Sequence, residues 1–276
     1  MLSNASLKYP KEIESAFRLA QLAGKEILKI YHRGFKTEFK ELDDPITEAD
    51  RLANGLIVDA LRKEFPDDEV VGEENDLTQA TWIGKNRIWY VDPIDGTREF
   101  VARRPQFVVM IGLAVNGHAE LGIVYNPLTE VIYSGIVGEG ASRVELNGPT
   151  AKLKRPTHPG QILRLAQSRA HHSEKIDLML TQLNIGGKIV SGSFGVKVGM
   201  IADNLADLYI DVSGKTSAWD SCGPEAILRA AGGELTNLKG ERITYGQREL
   251  RNLSGIVASG HQAQHADIIR KIRPFI

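Results

Sequence analysis

The chain has 276 residues, of which 42% are hydrophobic, and its 34 basic and 35 acidic side chains leave a formal net charge of −1. This near-neutral balance argues against a general binder of nucleic-acid polymers or membrane surfaces. No apolar run is long enough to span a bilayer, no secretory signal is visible, and a single cysteine, Cys222, excludes an internal disulfide and a cysteine zinc site. We therefore expect a cytoplasmic or similarly reducing location.

Two helices are predicted at the beginning of the chain. Apolar positions recur at helical spacing over 11–32. After a polar loop, Thr47 is typical of an N-cap for a second helix that runs to about Phe65. Asp50 lies three residues after Thr47, and on this evidence alone it is a capping-box partner rather than a catalytic residue.

An acidic turn follows the apolar run 88–91, which predicts a buried strand. Its residues are Asp92, Pro93, Ile94, Asp95, Gly96 and Thr97. Carboxylates that converge at such a turn suit a hard cation such as Mg²⁺, and the N–H groups of a helix start suit a phosphate. The alternative is an aspartate-rich turn whose side chains only cap the backbone.

A second acidic pair, Glu73 and Glu74, follows the short predicted strand 69–71 and Gly72. Adjacent glutamates at a strand end are typical of a solvated loop, but they also offer one inward and one outward carboxylate. By itself this pair does not distinguish the two interpretations.

The rest of the first half predicts an antiparallel meander. Its strands are 107–115, 120–125 and 131–137, separated by turn signals. The polar stretch 145–161 is the predicted boundary between an N-terminal α+β half, residues 1–145, and a C-terminal α/β half, residues 146–276.

In the second half, predicted strands and helices alternate, which favours an α/β fold. The strands are 162–166, 188–191, 208–211 and 256–258, and the helices are 173–183, 196–202, one from about Pro224 to Gly232, and 263–272. Asp220 lies at the entry of the third helix, where it is either an N-cap or a functional carboxylate. Cys222 is predicted to be a packing residue.

Four stretches in chain order resemble the motifs of the lithium-sensitive, Mg²⁺-dependent phosphatases of the inositol monophosphatase superfamily. They are PITEAD (45–50), GEE (72–74), DPIDGT (92–97) and WD (219–220). Within that superfamily, TREF (97–100) and WDSCGPEAILRAAGG (219–233) are more similar to the 3'(2'),5'-bisphosphate nucleotidase branch. The resemblance implies a layered α/β/α/β/α sandwich and inhibition by Li⁺.

The resemblance also implies roles for individual residues. The metal ligands would be Glu73, Asp92, Asp95, Asp220 and the carbonyl of Ile94, and they would hold two or three Mg²⁺ ions. Thr97 with Asp50 would activate the attacking water, whose pKa the metal lowers. Glu74 would orient a metal-bound water.

Substrate contacts follow from the same resemblance. The implied contacts are Gly96, Thr97, Ser168, His171, Gly192, Ser193, Lys197 and Asp220. For Lys197 the alternative is a solvated helix face, and for His171 a surface histidine. Asp211 lies where inositol phosphatases commonly carry a glutamate that contacts sugar hydroxyls.

The resulting hypothesis is a Mg²⁺-dependent phosphomonoesterase that converts 3'-phosphoadenosine 5'-phosphate to AMP and phosphate. An inositol-1-monophosphatase or a broader sugar phosphatase is the alternative. A non-enzymatic metal- or nucleotide-binding regulator is a third hypothesis, disfavoured because every required carboxylate is present. The expected partner is a small phosphate ester, and the expected assembly is a monomer or homodimer.

Overall fold

The computed structural model describes residues 7–41, 44–154, 160–169 and 174–276. The helices in these ranges are α1 (Pro10–Arg33), α2 (Glu48–Glu64), α3 (Thr97–Val101), α4 (Glu174–Thr181), α5 (Phe194–Ala202), α6 (Ala218–Ala230) and α7 (Gln262–Ile272). No helix among them combines the length and apolar composition that a membrane crossing requires.

The strands form two large sheets and a small hairpin. They are β1 (Thr37–Glu41), β2 (Asp44–Thr47), β3 (Glu69–Gly72), β4 (Arg87–Asp95), β5 (Val108–Val115), β6 (His118–Asn126), β7 (Val131–Ile136), β8 (Gly140–Glu145), β9 (Thr150–Leu153), β10 (Leu163–Ser168), β11 (Ile185–Ser191), β12 (Leu208–Asp211), β13 (Glu234–Thr236) and β14 (Ile256–Ser259). Strands β3 to β9 follow one another in the first sheet, whereas the second sheet has the order β11-β10-β12-β14-β13.

The two sheets and three pairs of helices stack as five layers. One face of the first sheet packs on α1 and α2, and its other face packs on α5 and α6. The second sheet covers the far side of α5 and α6, and its outer face packs on α4 and α7. The predicted layered sandwich is therefore confirmed.

Several local predictions are also confirmed. Helix α1 spans the predicted range, β5 to β7 form the antiparallel meander, and β12 has the predicted bounds. The capping box at α2 is complete, because the Asp50 side chain accepts from the Thr47 N–H and the Thr47 hydroxyl accepts within the first turn. Cys222 is fully buried.

Strands β1, β2, β8, β9 and β13 were not predicted, and β1 and β2 form a hairpin where the sequence predicted only a polar loop. Strand β9 lies within the stretch 145–161 that was predicted to separate two halves, yet it pairs with β8 at the edge of the first sheet. Its short, polar sequence carries little strand signal because three of its four residues are exposed. The division into 1–145 and 146–276 stays a prediction.

The predicted start of α6 was wrong. Pro224 favoured a helix beginning there, but α6 begins at Ala218 and holds Pro224 in its interior. A proline lacks an N–H, so the carbonyl of Asp220, four residues earlier, loses its usual helical donor. Asp220 therefore lies in the first turn of α6 and not before it.

A row of glycines lets α6 approach the first sheet closely. Gly112, Gly122 and Gly135 pair across β5, β6 and β7. A Cβ on Gly112 would lie 2.4 Å from the Gly223 nitrogen of α6, and one on Gly122 would lie 2.0 Å from the Gly223 oxygen. Only glycine allows helix and sheet backbones to meet at this distance.

We predict that Gly122→Ala destabilises the protein, because the new methyl group must push α6 away from the sheet. Overpacking of a dense core typically costs about 1–3 kcal/mol, and a clash with backbone lies at the upper end or beyond. Urea unfolding of both proteins measures the loss. Gly55→Ala is the control, since nothing lies within 4 Å of a Cβ there and it is inside α2. Equal stability of the two variants would contradict the close contact.

We also predict a pH-dependent stability that Glu225 of α6 causes. Glu225 is 1% exposed, accepts from the Tyr245 hydroxyl at 2.6 Å, and burial raises its pKa from 4.5 to about 7. The native state therefore retains a proton that the unfolded state loses, so stability falls as the pH rises from about 4.5 through 7.

The shift corresponds to roughly 3 kcal/mol. Glu225→Gln removes the titrating group, so the difference in unfolding free energy between the two proteins should change by that order between pH 5 and pH 8. Chemical unfolding with EDTA present measures it. Parallel pH profiles would assign the pH dependence to other groups.

Candidate metal and catalytic site

Three carboxylates from two different elements converge at one place, two of them buried and the third, that of Asp220, partly buried. Asp92 and Asp95 lie at the end of β4, and Asp220 lies in the first turn of α6. Each offers an oxygen within 4.8 Å of the others. Oxygen ligands at this spacing fit a hard divalent cation such as Mg²⁺. The cluster therefore has the chemistry of a metal site.

Burial and crowding raise the pKa of two of these groups. Burial first, and then the nearby carboxylates, raise the pKa of Asp92 and of Asp220 well above the usual range of an aspartate. Several negative charges at such distances repel one another strongly in a buried site. A bound cation would remove this repulsion.

The third carboxylate, Asp95, is held by the start of α5. It accepts from the Ser193 hydroxyl at 2.5 Å, from the Phe194 N–H at 3.1 Å and from the Gly195 N–H at 2.6 Å. The N-terminus of a helix favours negative charge. Asp95 thus joins β4 of the first sheet to the helix between the sheets. Sequence analysis did not detect these donors, because β4 and α5 are about a hundred residues apart.

Glu73 lies beside this cluster but pairs with a lysine. Its N–H donates to the Val91 carbonyl at 3.0 Å, which fixes it next to β4. Lys40 of β1 contacts the Glu73 carboxylate at 3.0 Å and also that of Glu74. Burial raises the pKa of Glu73 to about 7 although Lys40 opposes the shift. Nothing in the sequence around Lys40 indicated this contact.

The predicted catalytic pair is in contact. The Thr97 hydroxyl lies 3.3 Å from Asp50 Oδ1 and 3.0 Å from the Ile94 carbonyl oxygen. Asp50 Oδ2 accepts from the Thr47 N–H at 2.8 Å and from its hydroxyl at 2.6 Å. Asp50 therefore caps α2 and contacts Thr97 at once, so the capping interpretation was correct without excluding the second role. Burial raises the pKa of Asp50.

A cleft of about 180 Å³ adjoins the cluster. Its lining contains five of the predicted substrate or metal residues, namely Asp95, Ser168, Gly192, Lys197 and Asp220, together with Phe194, Tyr209, Asp211, Ser213, Lys215 and Thr216. Ser193, another predicted substrate residue, is not part of this lining, and its hydroxyl donates to Asp95. Gly96 adopts a positive φ of 93° and lies against Ser193. His171 lies outside the described residues.

Lys197 is buried and not on a solvated helix face, so that alternative is wrong. It is 1% exposed, and its ammonium donates to the Ser193 carbonyl at 2.7 Å and, at 3.4 Å, to those of Ser191 and Gly192. Burial lowers its pKa to about 8. The ammonium thus holds the turn that presents donors to Asp95.

Asp211 has one oxygen without a partner. Its Oδ1 accepts from the Ser213 N–H at 3.0 Å, whereas the buried Oδ2 has no hydrogen-bond partner among the described residues. An unpaired buried acceptor is unfavourable, and because Asp211 lines the cleft, a ligand hydroxyl that reached this oxygen would satisfy it. A larger cavity of about 400 Å³ lies along residues 237–255 and contains none of the clustered carboxylates.

Comparison with known proteins agrees with this fold. The model of the inositol monophosphatase family matches residues 10–275. The chain belongs to this family, and it is accordingly a phosphatase. The family and the fold predicted from the sequence are both confirmed.

Two curated relatives carry the same name. The chain is 33% identical over 240 residues to the 3'(2'),5'-bisphosphate nucleotidase CysQ of Salmonella typhimurium, which covers 86% of this chain and 95% of that protein. It is 29% identical over 232 residues to the CysQ of Haemophilus influenzae, covering 84% and 86%.

Solved structures are similar over nearly the whole chain. The CysQ of Bacteroides thetaiotaomicron, a bacterial member of the inositol monophosphatase family, has a TM-score of 0.77 at 28% identity, covering 93% of this chain and all of that one. The extragenic suppressor protein SuhB of Bartonella henselae has a TM-score of 0.80 at 21% identity, covering 96% and 99%, and shows the fold alone.

We predict that Asp95→Asn abolishes turnover while the fold remains. The amide is neutral, and its NH₂ group cannot accept from the donors at the start of α5, so the cluster loses a charged oxygen. The loss should exceed the roughly 10- to 100-fold that follows removal of a group outside the metal ligands. Steady-state phosphate release, circular dichroism and a metal titration measure these effects.

Asp59→Asn is the matched control, because Asp59 is an exposed residue of α2. This variant should match the wild type in every measurement. Normal turnover and metal affinity in Asp95→Asn would remove Asp95 from the metal site.

Proposed function

We propose that this protein is a Mg²⁺-dependent phosphomonoesterase that converts 3'-phosphoadenosine 5'-phosphate to AMP and phosphate. The observation that carries the phosphatase chemistry is the convergence of the Asp92, Asp95 and Asp220 carboxylates beside the cleft. The choice of a bisphosphate nucleotide is supported by the curated relatives, which are named 3'(2'),5'-bisphosphate nucleotidases.

In this proposal the cluster holds two or three Mg²⁺ ions, with Glu73 and the Ile94 carbonyl as further ligands. The bound metal would lower the pKa of a water molecule and offset the charge of the phosphate. The protein's own contribution is to fix the carboxylates, each of which accepts a hydrogen bond from a backbone N–H group. The donor is at the end of β4 for Asp92, at the start of α5 for Asp95, and at the N-cap of α6 for Asp220.

Thr97 and Asp50 would accept the proton of the attacking water. A threonine hydroxyl is not itself a base. It would accept a hydrogen bond from the water and transfer its own proton to Asp50, whose Oδ1 lies 3.3 Å away. The raised pKa of Asp50 makes this carboxylate a better proton acceptor than an exposed aspartate. The other oxygen of Asp50 accepts a hydrogen bond from the Thr47 N–H, which keeps Asp50 oriented towards Thr97.

The phosphate would lie at the start of α3, where the Gly96 and Thr97 N–H groups are proposed to hold it. A side chain at Gly96 would meet the Gln106 carbonyl at 2.7 Å, so glycine is required for the chain to pass there. Ser168, His171, Gly192, Ser193, Lys197 and Asp220 remain the proposed surroundings of the substrate. Of these, Ser193 and Lys197 also maintain the turn beside Asp95.

A specific observation favours a second candidate, hydrolysis of an inositol or sugar phosphate. Asp211 lines the cleft, and its buried, unpartnered Oδ2 is suited to accept from a hydroxyl group. A ribose hydroxyl would satisfy the same atom, so this feature supports a polyol phosphate in general. The two candidates share the metal chemistry and differ in the substrate.

Phosphate release with three substrates tests the proposal. We expect 3'-phosphoadenosine 5'-phosphate to be hydrolysed with a higher kcat/KM than inositol 1-phosphate or fructose 1,6-bisphosphate, in Mg²⁺ and not in EDTA. Equal or reversed preference would replace the nucleotidase by the second candidate. Absence of Mg²⁺-stimulated release from every ester would favour a regulatory protein without catalysis.

A further inference from the structure

Glu99 is a buried carboxylate to which the proposed function gives no role. It is 3% exposed, it lies in the TREF stretch of α3, and it follows Thr97 by two residues. A buried charge is unfavourable unless it is paired and hydrogen-bonded. The partners of this carboxylate therefore indicate what the side chain does.

Two arginines compensate the charge of Glu99 in different ways. Arg104 belongs to the loop directly after α3, and its Nη1 lies 3.3 Å and 3.5 Å from the two carboxylate oxygens. Arg169 Nε donates to Oε1 at 3.2 Å from a position 70 residues further along the chain. The Arg104 contact is thus local, whereas the Arg169 contact joins α3 to the end of β10.

The Arg169 guanidinium has a second partner. Its Nη2 donates to the side-chain oxygen of Gln106 at 3.0 Å, and the Gln106 amide donates to the Val190 carbonyl of β11 at 3.4 Å. Strands β10 and β11 are parallel neighbours in the second sheet. The guanidinium therefore connects α3 and the loop after it with the ends of two strands.

The same two strand ends carry residues of the cleft. Ser168, the last residue of β10, directly precedes Arg169 and lines the cleft, and Gly192, which follows β11, lines it as well. A Cβ at Gly192 would lie 2.3 Å from Glu99 Oε1, so the carboxylate packs directly against this residue. One side chain thus contacts Gly192 and, through Arg169, holds the residue next to Ser168.

We propose that Glu99 is a positioning residue for the nucleoside part of the substrate. Its ion pair with Arg169 would hold Ser168 and Gly192 at a fixed distance from Thr97. A serine hydroxyl and a peptide group are neutral hydrogen-bonding groups, which suit the hydroxyls and ring nitrogens of a nucleoside. This inference rests on the proposed nucleotidase function. Glu99 neither touches the substrate nor takes part in the chemical step.

The test compares 3'-phosphoadenosine 5'-phosphate with glycerol 2-phosphate, a small ester without a nucleoside. Glu99→Gln keeps the shape of the side chain but removes its charge, and Arg169→Met removes the other partner. In each variant we expect the KM for the nucleotide to rise about tenfold, as for loss of a hydrogen bond to a charged group, with kcat unchanged. The kinetic constants for glycerol 2-phosphate should equal those of the wild type.

The double variant separates positioning from direct contact with the substrate. Because both residues act through one ion pair, Glu99→Gln combined with Arg169→Met should raise the KM no further than either single change. Arg169→Lys should recover part of the loss, since an ammonium can pair with Glu99 without also binding Gln106. Binding of AMP, measured by calorimetry, should weaken in parallel with the rise in KM.

Arg164→Met is the matched control. Arg164 lies near the start of β10, where the Asp207 carboxylate accepts from its Nε at 2.8 Å and from its Nη2 at 2.9 Å. This variant also loses an ion pair of β10, but one that is not part of the cleft lining. Its kinetic constants for both substrates should equal those of the wild type.

Several results would overturn the inference. A normal KM for the nucleotide in either single variant would show that the ion pair does not position the cleft residues. An equal loss for both substrates, or a fall in kcat, would make the role of Glu99 merely structural. An Arg169→Met effect as large in the Glu99→Gln protein as in the wild type would assign Arg169 to a direct substrate contact.

Failure of the proposed function is recognised from the wild type alone. A wild type that hydrolyses glycerol 2-phosphate with the same kcat/KM as the nucleotide contradicts the nucleotidase activity, and the inference fails with it. A wild type that prefers the nucleotide leaves the decision to the variants.

Discussion

The contact between α6 and the first sheet is the constraint on which the site depends. The paired glycines of β5, β6 and β7 have no Cβ atoms on the face of the sheet beneath α6. The α6 backbone therefore contacts the sheet directly. Because Asp220 is in the first turn of α6 and Asp92 is on the neighbouring strand β4, this contact sets the distance between two carboxylates. Bulkier residues in the row would separate them before any functional group was changed.

The site concentrates negative charge, and the surrounding structure compensates for it in different ways. Asp95 receives three donors from the start of α5, and Lys197 fixes the turn from which those donors come. Asp92 and Asp220 receive fewer donors, and burial together with the neighbouring carboxylates raises their pKa values. This difference is suited to a cation-dependent enzyme, because a site that neutralised itself fully would have little affinity for metal.

Much of the fold and most of the clustered carboxylates could be predicted from the sequence. Strong local signals, such as the helical spacing of α1, the turns of the meander and the Thr47–Asp50 box, all correspond to observed elements. Pro224 misled the prediction of α6, because tertiary packing tolerates a proline whose missing N–H leaves the Asp220 carbonyl free. The contacts of Asp95 with α5 and of Lys40 with Glu73 join distant segments, and no local pattern encodes them.

Asp50 and Asp220 occupy the same position, the third residue of a helix, and each accepts from the backbone N–H of its N-cap residue. Their carboxylates therefore begin a helix whether or not a phosphate ester is ever hydrolysed. A descendant of this chain that had lost its activity would still be under pressure to retain both aspartates for folding. The presence of these two aspartates in a distant relative is therefore weak evidence that the relative is catalytically active. Asp92 caps no helix, so its presence is better evidence of activity.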